Sequence, residues 1–219
     1  MPKVKICGRL FVTGVGFVAV AGLFSLPVSS AGISPAATVR YRLDPGQSRF
    51  MVKVFVGGLL KAFGHDHNIA IRDFTGEMQT TPDSITPASL QMTIKADSLA
   101  VTDKVSESDR KKIETTMREE VLETRSYPEI VFKSTNAAVA KTGEGKYDFK
   151  LWGELFLHGV KGDTYIVGKL TLDGNTLRAT GGFPLYLSNY NMKQVSVAGG
   201  TIKVKNEIKF SFDLVARRL

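Results

Sequence analysis

The sequence predicts an all-β protein: an eight-stranded antiparallel barrel with one external helix between the third and fourth strands. Three observations predict it. Apolar and polar residues alternate with period two through most of the chain from about Tyr41 onward, tight-turn signals separate the alternating runs, and a single segment switches to helical spacing. No strand–helix–strand rhythm and no phosphate-binding glycine loop interrupts this pattern. Clean alternation means one wet face and one buried face, the habit of antiparallel sheets. Closing such a sheet removes its exposed edges.

The chain opens with something other than barrel. Lys3, Lys5 and Arg9 precede an apolar run from Leu10 to Leu26, loosened by Gly14, Gly16 and Gly22, and the small residues Ser29, Ser30 and Ala31 follow. This order predicts a signal peptide over residues 1–31 with cleavage after Ala31. The run is shorter than the ~20 apolar residues of a membrane span. It carries no twin arginine, so general secretion to the periplasm is expected. Removing 31 of the 219 residues leaves one domain of 188, residues 32–219. Cys7, the single cysteine, leaves with the leader, so the exported domain must be held by its core rather than by disulfides. The leader takes three basic residues with it and lowers the net charge from +8 to +5. The remaining lysines and arginines are spread along strands with no aromatic-plus-basic motif, which excludes a nucleic-acid partner. A weak, transient attraction to anionic membrane surfaces stays open. So does the oligomeric state, a homodimer included.

The first alternating run is Phe50, Val52, Val54 and Val56, and the second is Ile69 and Ile71. Leu90, Met92, Ile94 and Ala96 form the third. Between Ser106 and Leu122 the apolar residues fall at Ile113, Met117 and Val121, an i, i+4 stripe, and Ser106 with Asp109 forms a capping-box pattern. The stripe is narrow and the rest is charged, so this helix is expected outside or over one end of the sheet. Tyr127-Pro128 returns the chain to a strand at Ile130 and Phe132. In the next run Tyr147, Phe149, Leu151 and Leu155 share one face, with Asp148, Lys150, Trp152 and Glu154 on the other. Ile166, Gly168, Leu170 and Leu172 follow, then Leu177 to Leu187, and last Ile202 to Leu214, where only Asn206 breaks the apolar file. Gly143-Glu144-Gly145, Gly159 to Gly162, and Asp173-Gly174-Asn175 mark turns. The inward glycines Gly153, Gly168 and Gly181 permit two readings, bends in the sheet or room for a ligand.

Four stretches carry a resemblance: Ser48-Arg49-Phe50-Met51-Val52, Phe74-Thr75-Gly76-Glu77-Met78, Tyr127 to Thr135, and Gly153 to Val160. With the order of the elements, they make the chain resemble the YceI-like family of exported, lipocalin-like barrels that bind polyisoprenoid lipids. The resemblance covers nearly all of residues 32–219. It implies an apolar tunnel through the barrel that holds an isoprenoid quinone, a polyprenyl chain or a similar amphiphile. It implies no cofactor and no catalysis. Strand parity then names the expected lining. The first strands contribute Phe50, Val52 and Val54, then Ile69 and Ile71, then Leu90, Met92 and Ile94. Phe132, Phe149, Leu151 and Leu155 follow, with Ile166, Leu170, Phe183 and Leu185. The last strand contributes Val204, Ile208, Phe210 and Phe212.

The three histidines leave a separate question. His65 and His67 stand two apart, roughly 6.5–7 Å along a strand, and project to the same side. With His158, beside a turn on another strand, they would suit zinc as a metal carrier or a metal-dependent hydrolase. A second reading has His65, His67, His158 and Asn206 at the rim meeting a lipid headgroup. A third makes the Gly64-His65-Asp66-His67 loop a hydrogen-bonded bend with no ligand. No Gly-x-Ser-x-Gly elbow or other activated nucleophile is present, so the expectation is a binding protein, not an enzyme.

Overall fold

Residues 38–58, 65–81 and 84–219 are described in the computed structural model, and twelve strands within them form one antiparallel sheet. The expected leader lies outside the described residues. In chain order the strands are β1 (Val39–Leu43), β2 (Arg49–Gly57), β3 (His67–Ile71), β4 (Phe74–Thr81), β5 (Ser84–Lys95) and β6 (Leu99–Val101). A helix α1 (Glu107–Thr116) comes next, then β7 (Glu129–Gly143), β8 (Lys146–Leu157), β9 (Val160–Asp173), β10 (Thr176–Tyr186), β11 (Ser196–Val197) and β12 (Ile202–Arg218).

Eleven of the twelve strands make eight staves, and the two-residue β11 pairs with β12 off this path. The ring β1–β4–β5–β7–β8–β9–β10–β12 closes where β12 returns to β1, with Tyr41 opposite Arg218 and Leu43 opposite Ala216. At the other end β2, β3 and β6 continue the staves begun by β1, β4 and β5, in the order β12–β2–β3–β6. Each of these staves breaks at one height, at residues 44–48, 72–73 and 96–98. Serine side chains take over the lost ladder bonds there. Ser48 Oγ accepts from the Val215 amide at 2.9 Å and donates to the Asp44 carbonyl at 2.7 Å. Ser98 Oγ accepts from the Asp73 amide at 3.1 Å and donates to the Lys95 carbonyl at 2.7 Å.

The helix stands between the third and fourth staves, as expected. The Ser106 hydroxyl accepts from the Asp109 amide at 3.1 Å and donates to its carboxylate at 2.7 Å, so Ser106 caps the helix as expected. The helix ends in one wider turn over Met117–Val121. Among the described residues, no helix is long and apolar enough to cross a bilayer.

Two details differ from the sequence reading. The turn expected over Gly159–Gly162 is shorter: His158 and Gly159 alone, at φ 52° and 72°, join Leu157 to Val160. Two successive residues at positive φ match the twist of the flanking strands. On β12, Val204 faces Val56 and Ile208 faces Val54, so four residues there span two on β2. An even excess keeps Val204 and Ile208 on the same face, which is why the apolar file resumes in phase after Asn206.

The interior divides along the barrel axis. Val39, Tyr41, Leu170, Leu177 and Ala216 fill the end where the ring closes. A larger apolar cluster, from Phe50, Leu151 and Phe212 to Met117 and Met192, forms the remainder.

Candidate ligand cavity

A cavity of about 470 Å³ occupies the half of the barrel covered by α1. Its wall is built by strand parity, one stave at a time. Val56, Val54, Val52 and Phe50 come from β2, Ile69 and Ile71 from β3, and Met92 and Ile94 from β5. Ile130 and Phe132 of β7, Leu155 and Leu157 of β8, and Thr164 and Ile166 of β9 complete one side. Phe183 of β10 and Ile202, Val204, Ile208 and Phe210 of β12 complete the other. The helical stripe Ile113, Met117 and Val121 faces the same space, with Leu122, Leu187, Met192 and Val195. Polar side chains are few: His65, His67, Lys112, Thr116, Thr164 and Lys193.

Of the expected lining, the structure brings fourteen residues to this wall and six elsewhere. Leu170 belongs to the cluster at the closed end, and Phe149 packs between the two clusters. Leu151, Leu185 and Phe212 are buried in the main core without reaching the cavity, and Leu90 packs against it. Parity decides which face a residue takes but not its height along the axis, and these six have the inward parity at other heights. The lining absent from that list is of three kinds. Val56, Leu99, Ile130, Leu157, Thr164 and Ile202 lie on strands, and the stripe Ile113, Met117 and Val121 belongs to the helix expected outside or over one end of the sheet. Leu187, Met192 and Val195 lie in a short helical turn and irregular chain, where no periodicity marks them.

The inward glycines are not empty places. A Cβ on Gly168 would lie 2.9 Å from the ring of Phe149, one on Gly181 would lie 2.8 Å from Phe212, and one on Gly153 would lie 2.5 Å from Phe132. In each case the outer edge of a ring from a neighbouring stave reaches over the glycine and takes the volume it leaves.

The histidines part company. His65 and His67 line the cavity with ring centroids 4.8 Å apart. Asp103 accepts a bond from His67 Nδ1 at 3.0 Å, from the Asn68 amide at 3.0 Å and from Asn68 Nδ2 at 2.8 Å. Burial raises the Asp103 pKa, yet the bonds from Asn68 and then His67 outweigh it and hold the carboxyl below its ordinary value. A carboxylate that only accepts makes His67 the donor at Nδ1 and leaves Nε2 available to a ligand. His158 lies elsewhere. Its Nδ1 donates to the Tyr190 carbonyl at 3.1 Å, its ring is 4.6 Å from that of Tyr127, and its buried Nε2 stands 3.3 Å from Glu123 without hydrogen-bond geometry. His158 is not part of the cavity wall. Among the described residues, no three His, Cys, Asp or Glu side chains are grouped to hold a metal ion. Asn206 is also engaged otherwise. It accepts from the Ser188 amide at 2.8 Å and donates to the Ser188 hydroxyl at 2.9 Å, tying the β12 bulge to the turn after β10.

Comparison with known proteins follows the same outline. A family model described as a YceI-like domain matches residues 41–216. No curated protein matches the chain. The solved structure of BcnA from Burkholderia cenocepacia superposes with a TM-score of 0.60 at 20% identity, covering 79% of this chain and 98% of that one. A polyisoprenoid binding domain from Saccharophagus degradans, implicated in plant cell wall breakdown, gives 0.56 at 13% identity over 81% of this chain and 97% of that one. A YCEI protein from Campylobacter jejuni gives 0.50 at 15% identity, over 68% and 83%. At these identities the likeness establishes the fold.

Proposed function

Because the chain belongs to the YceI-like family, we propose that it binds an amphiphilic isoprenoid-type lipid, a quinone or a polyprenyl chain, in the cavity beneath α1. It sequesters or carries this lipid without transforming it. The observation that carries this reading is the cavity wall itself: about 470 Å³ enclosed almost wholly by aliphatic and phenyl groups, with a few polar side chains. That volume falls in the ~300–1,000 Å³ range of sites for single small ligands. Each methylene buried there stabilises the complex by ~0.8 kcal/mol, so a tail alone supplies substantial affinity. The polyisoprenoid binding of the Saccharophagus degradans domain, whose fold this chain resembles, supports the same ligand class.

The polar residues give the ligand a direction. His65, His67, Lys112 and Lys193 offer donors to a carbonyl, hydroxyl or phosphate headgroup, and the tail runs inward past Val52 and Ile166. Export through the leader over residues 1–31 puts this activity in the periplasm, between two membranes, where a lipid tail needs cover from water. The net charge of +5 after cleavage favours brief contact with anionic membrane surfaces.

Native mass spectrometry of protein purified from its own host tests the reading. One isoprenoid-mass adduct per chain is expected, lost on organic extraction and restored by adding the lipid back. An apo mass throughout, with no rebinding, would overturn it. Intact mass of the exported form is expected to start at Gly32, and a chain retaining Met1 in the membrane fraction would refute cleavage.

A further inference from the structure

The cavity stops partway along the staves that reach it. On β2 the wall ends at Phe50, on β9 at Ile166, on β10 at Phe183 and on β12 at Phe210, although each stave continues. The next inward positions along the axis are Gly168 on β9, Gly181 on β10 and Phe212 on β12, none of which touches the cavity. Phenyl rings occupy this level. Phe183 and Phe210 are cross-strand partners, stacked with centroids 4.7 Å apart and planes within 1°. Phe50 packs on Phe210 at 5.9 Å and on Phe212 at 6.3 Å. The rings of Phe149 and Phe212 take the space beside the two glycines. Beneath the stack lie Tyr41, Leu170 and Leu177 of the apolar cluster at the closed end.

We propose that this phenylalanine partition sets the longest tail the protein accepts, and so makes it selective for short-chain over long-chain isoprenoids. The inference rests on the reading that the cavity binds an isoprenoid. A tail entering past His67 gains affinity with each methylene buried, about fourfold apiece. The gain ends where the tail meets the stack. A longer tail must leave its remainder in water or displace rings that are packed against one another on the far side.

Delipidated full-length mature protein, titrated with all-trans isoprenols from farnesol through geranylgeraniol to solanesol, decides the matter. Affinity is expected to climb with length and then break, with solanesol bound at least tenfold more weakly than the best shorter alcohol. Phe183→Ala removes one ring of the stack and is expected to move the break to longer alcohols. Ile166→Phe adds a ring above the stack without emptying any core position and is expected to move it to shorter ones. Circular dichroism identifies which variants are folded, and Ile166→Phe tests the partition even where Phe183→Ala does not fold. Affinity that rises through solanesol without a break, or a break that stays put in the folded variants, overturns the partition while leaving lipid binding intact. A folded parent that binds no isoprenol of any length overturns both readings.

Discussion

Asp103 shows how one side chain ties the cavity wall to the barrel. Its carboxyl is held below the ordinary 3.8 because the hydrogen bonds from Asn68 and His67 outweigh the opposing effect of burial. A pKa depressed on folding stabilises the native state when the pH is well above the unfolded value, and that stabilisation disappears as pH falls through the native one. Asp103→Asn is therefore expected to cost roughly 1.5–3 kcal/mol at neutral pH. The gap between parent and variant should close as pH drops below about 4, in melting temperatures recorded against pH. A gap of constant size down to strong acid would refute the assignment. Glycines supply a second contrast at this scale. A Cβ on Gly181 would collide with the Val167 carbonyl and lie 2.8 Å from Phe212, whereas at Gly143 its nearest neighbour is 3.8 Å away. Gly181→Ala is expected to lose about 1–3 kcal/mol, the range of overpacked cores. Gly143→Ala should stay within about 0.5 kcal/mol in the same denaturant titration.

At the scale of elements, α1 substitutes for a missing strand. β6 pairs with β3 through Ile69, Ala70 and Ile71 and, among the described residues, has no strand on its other side. An open edge would leave backbone groups unpaired. Side chains of the helix meet them: Glu114 accepts from the Val101 amide at 3.0 Å, and Arg110 donates to the Val101 carbonyl and, at 3.1 Å, to that of Asp103. Arg118 in turn holds Glu114 at 3.2 Å. The helix thus closes the barrel wall with its polar side chains and roofs the cavity with Ile113 and Met117. Glu114→Ala orphans the Val101 amide, at an expected cost of about 1–3 kcal/mol. Amide exchange should quicken at Leu99–Val101 and through α1 while β8 and β9 stay protected. Uniform acceleration across the sheet would instead mean that the contact contributes only to global stability.

For the molecule as a whole, the two halves of the barrel have different tasks. The closed end is packed with apolar side chains and holds the ring together, while the half beneath α1 keeps a cavity that a ligand would fill. Filling it stabilises the folded state by mass action, about 2.7 kcal/mol at a hundredfold excess over Kd. A domain of this size melts roughly 2–4 °C higher per kcal/mol, so extraction of the lipid should lower the melting temperature by about 5–11 °C and readdition should restore it. No change on extraction would argue against an occupied cavity.

Read alone, the sequence determined the faces of the strands, the eight staves, the place and cap of the helix, and the family to which these belong. Each of these follows from a local period or a short motif, because side-chain direction in a strand depends only on its immediate neighbours in the chain. The tertiary structure alone decided height and company. Val52 and Leu170 share an inward parity, yet one lines the cavity and the other plugs the far end. His158 was separated from His65 and His67, and the inward glycines proved to be seats for rings of adjacent staves. Those outcomes depend on strand register and on where each stave bends. Register is set between segments far apart in the chain, and a shift of two residues preserves every face while moving every side chain to a different level.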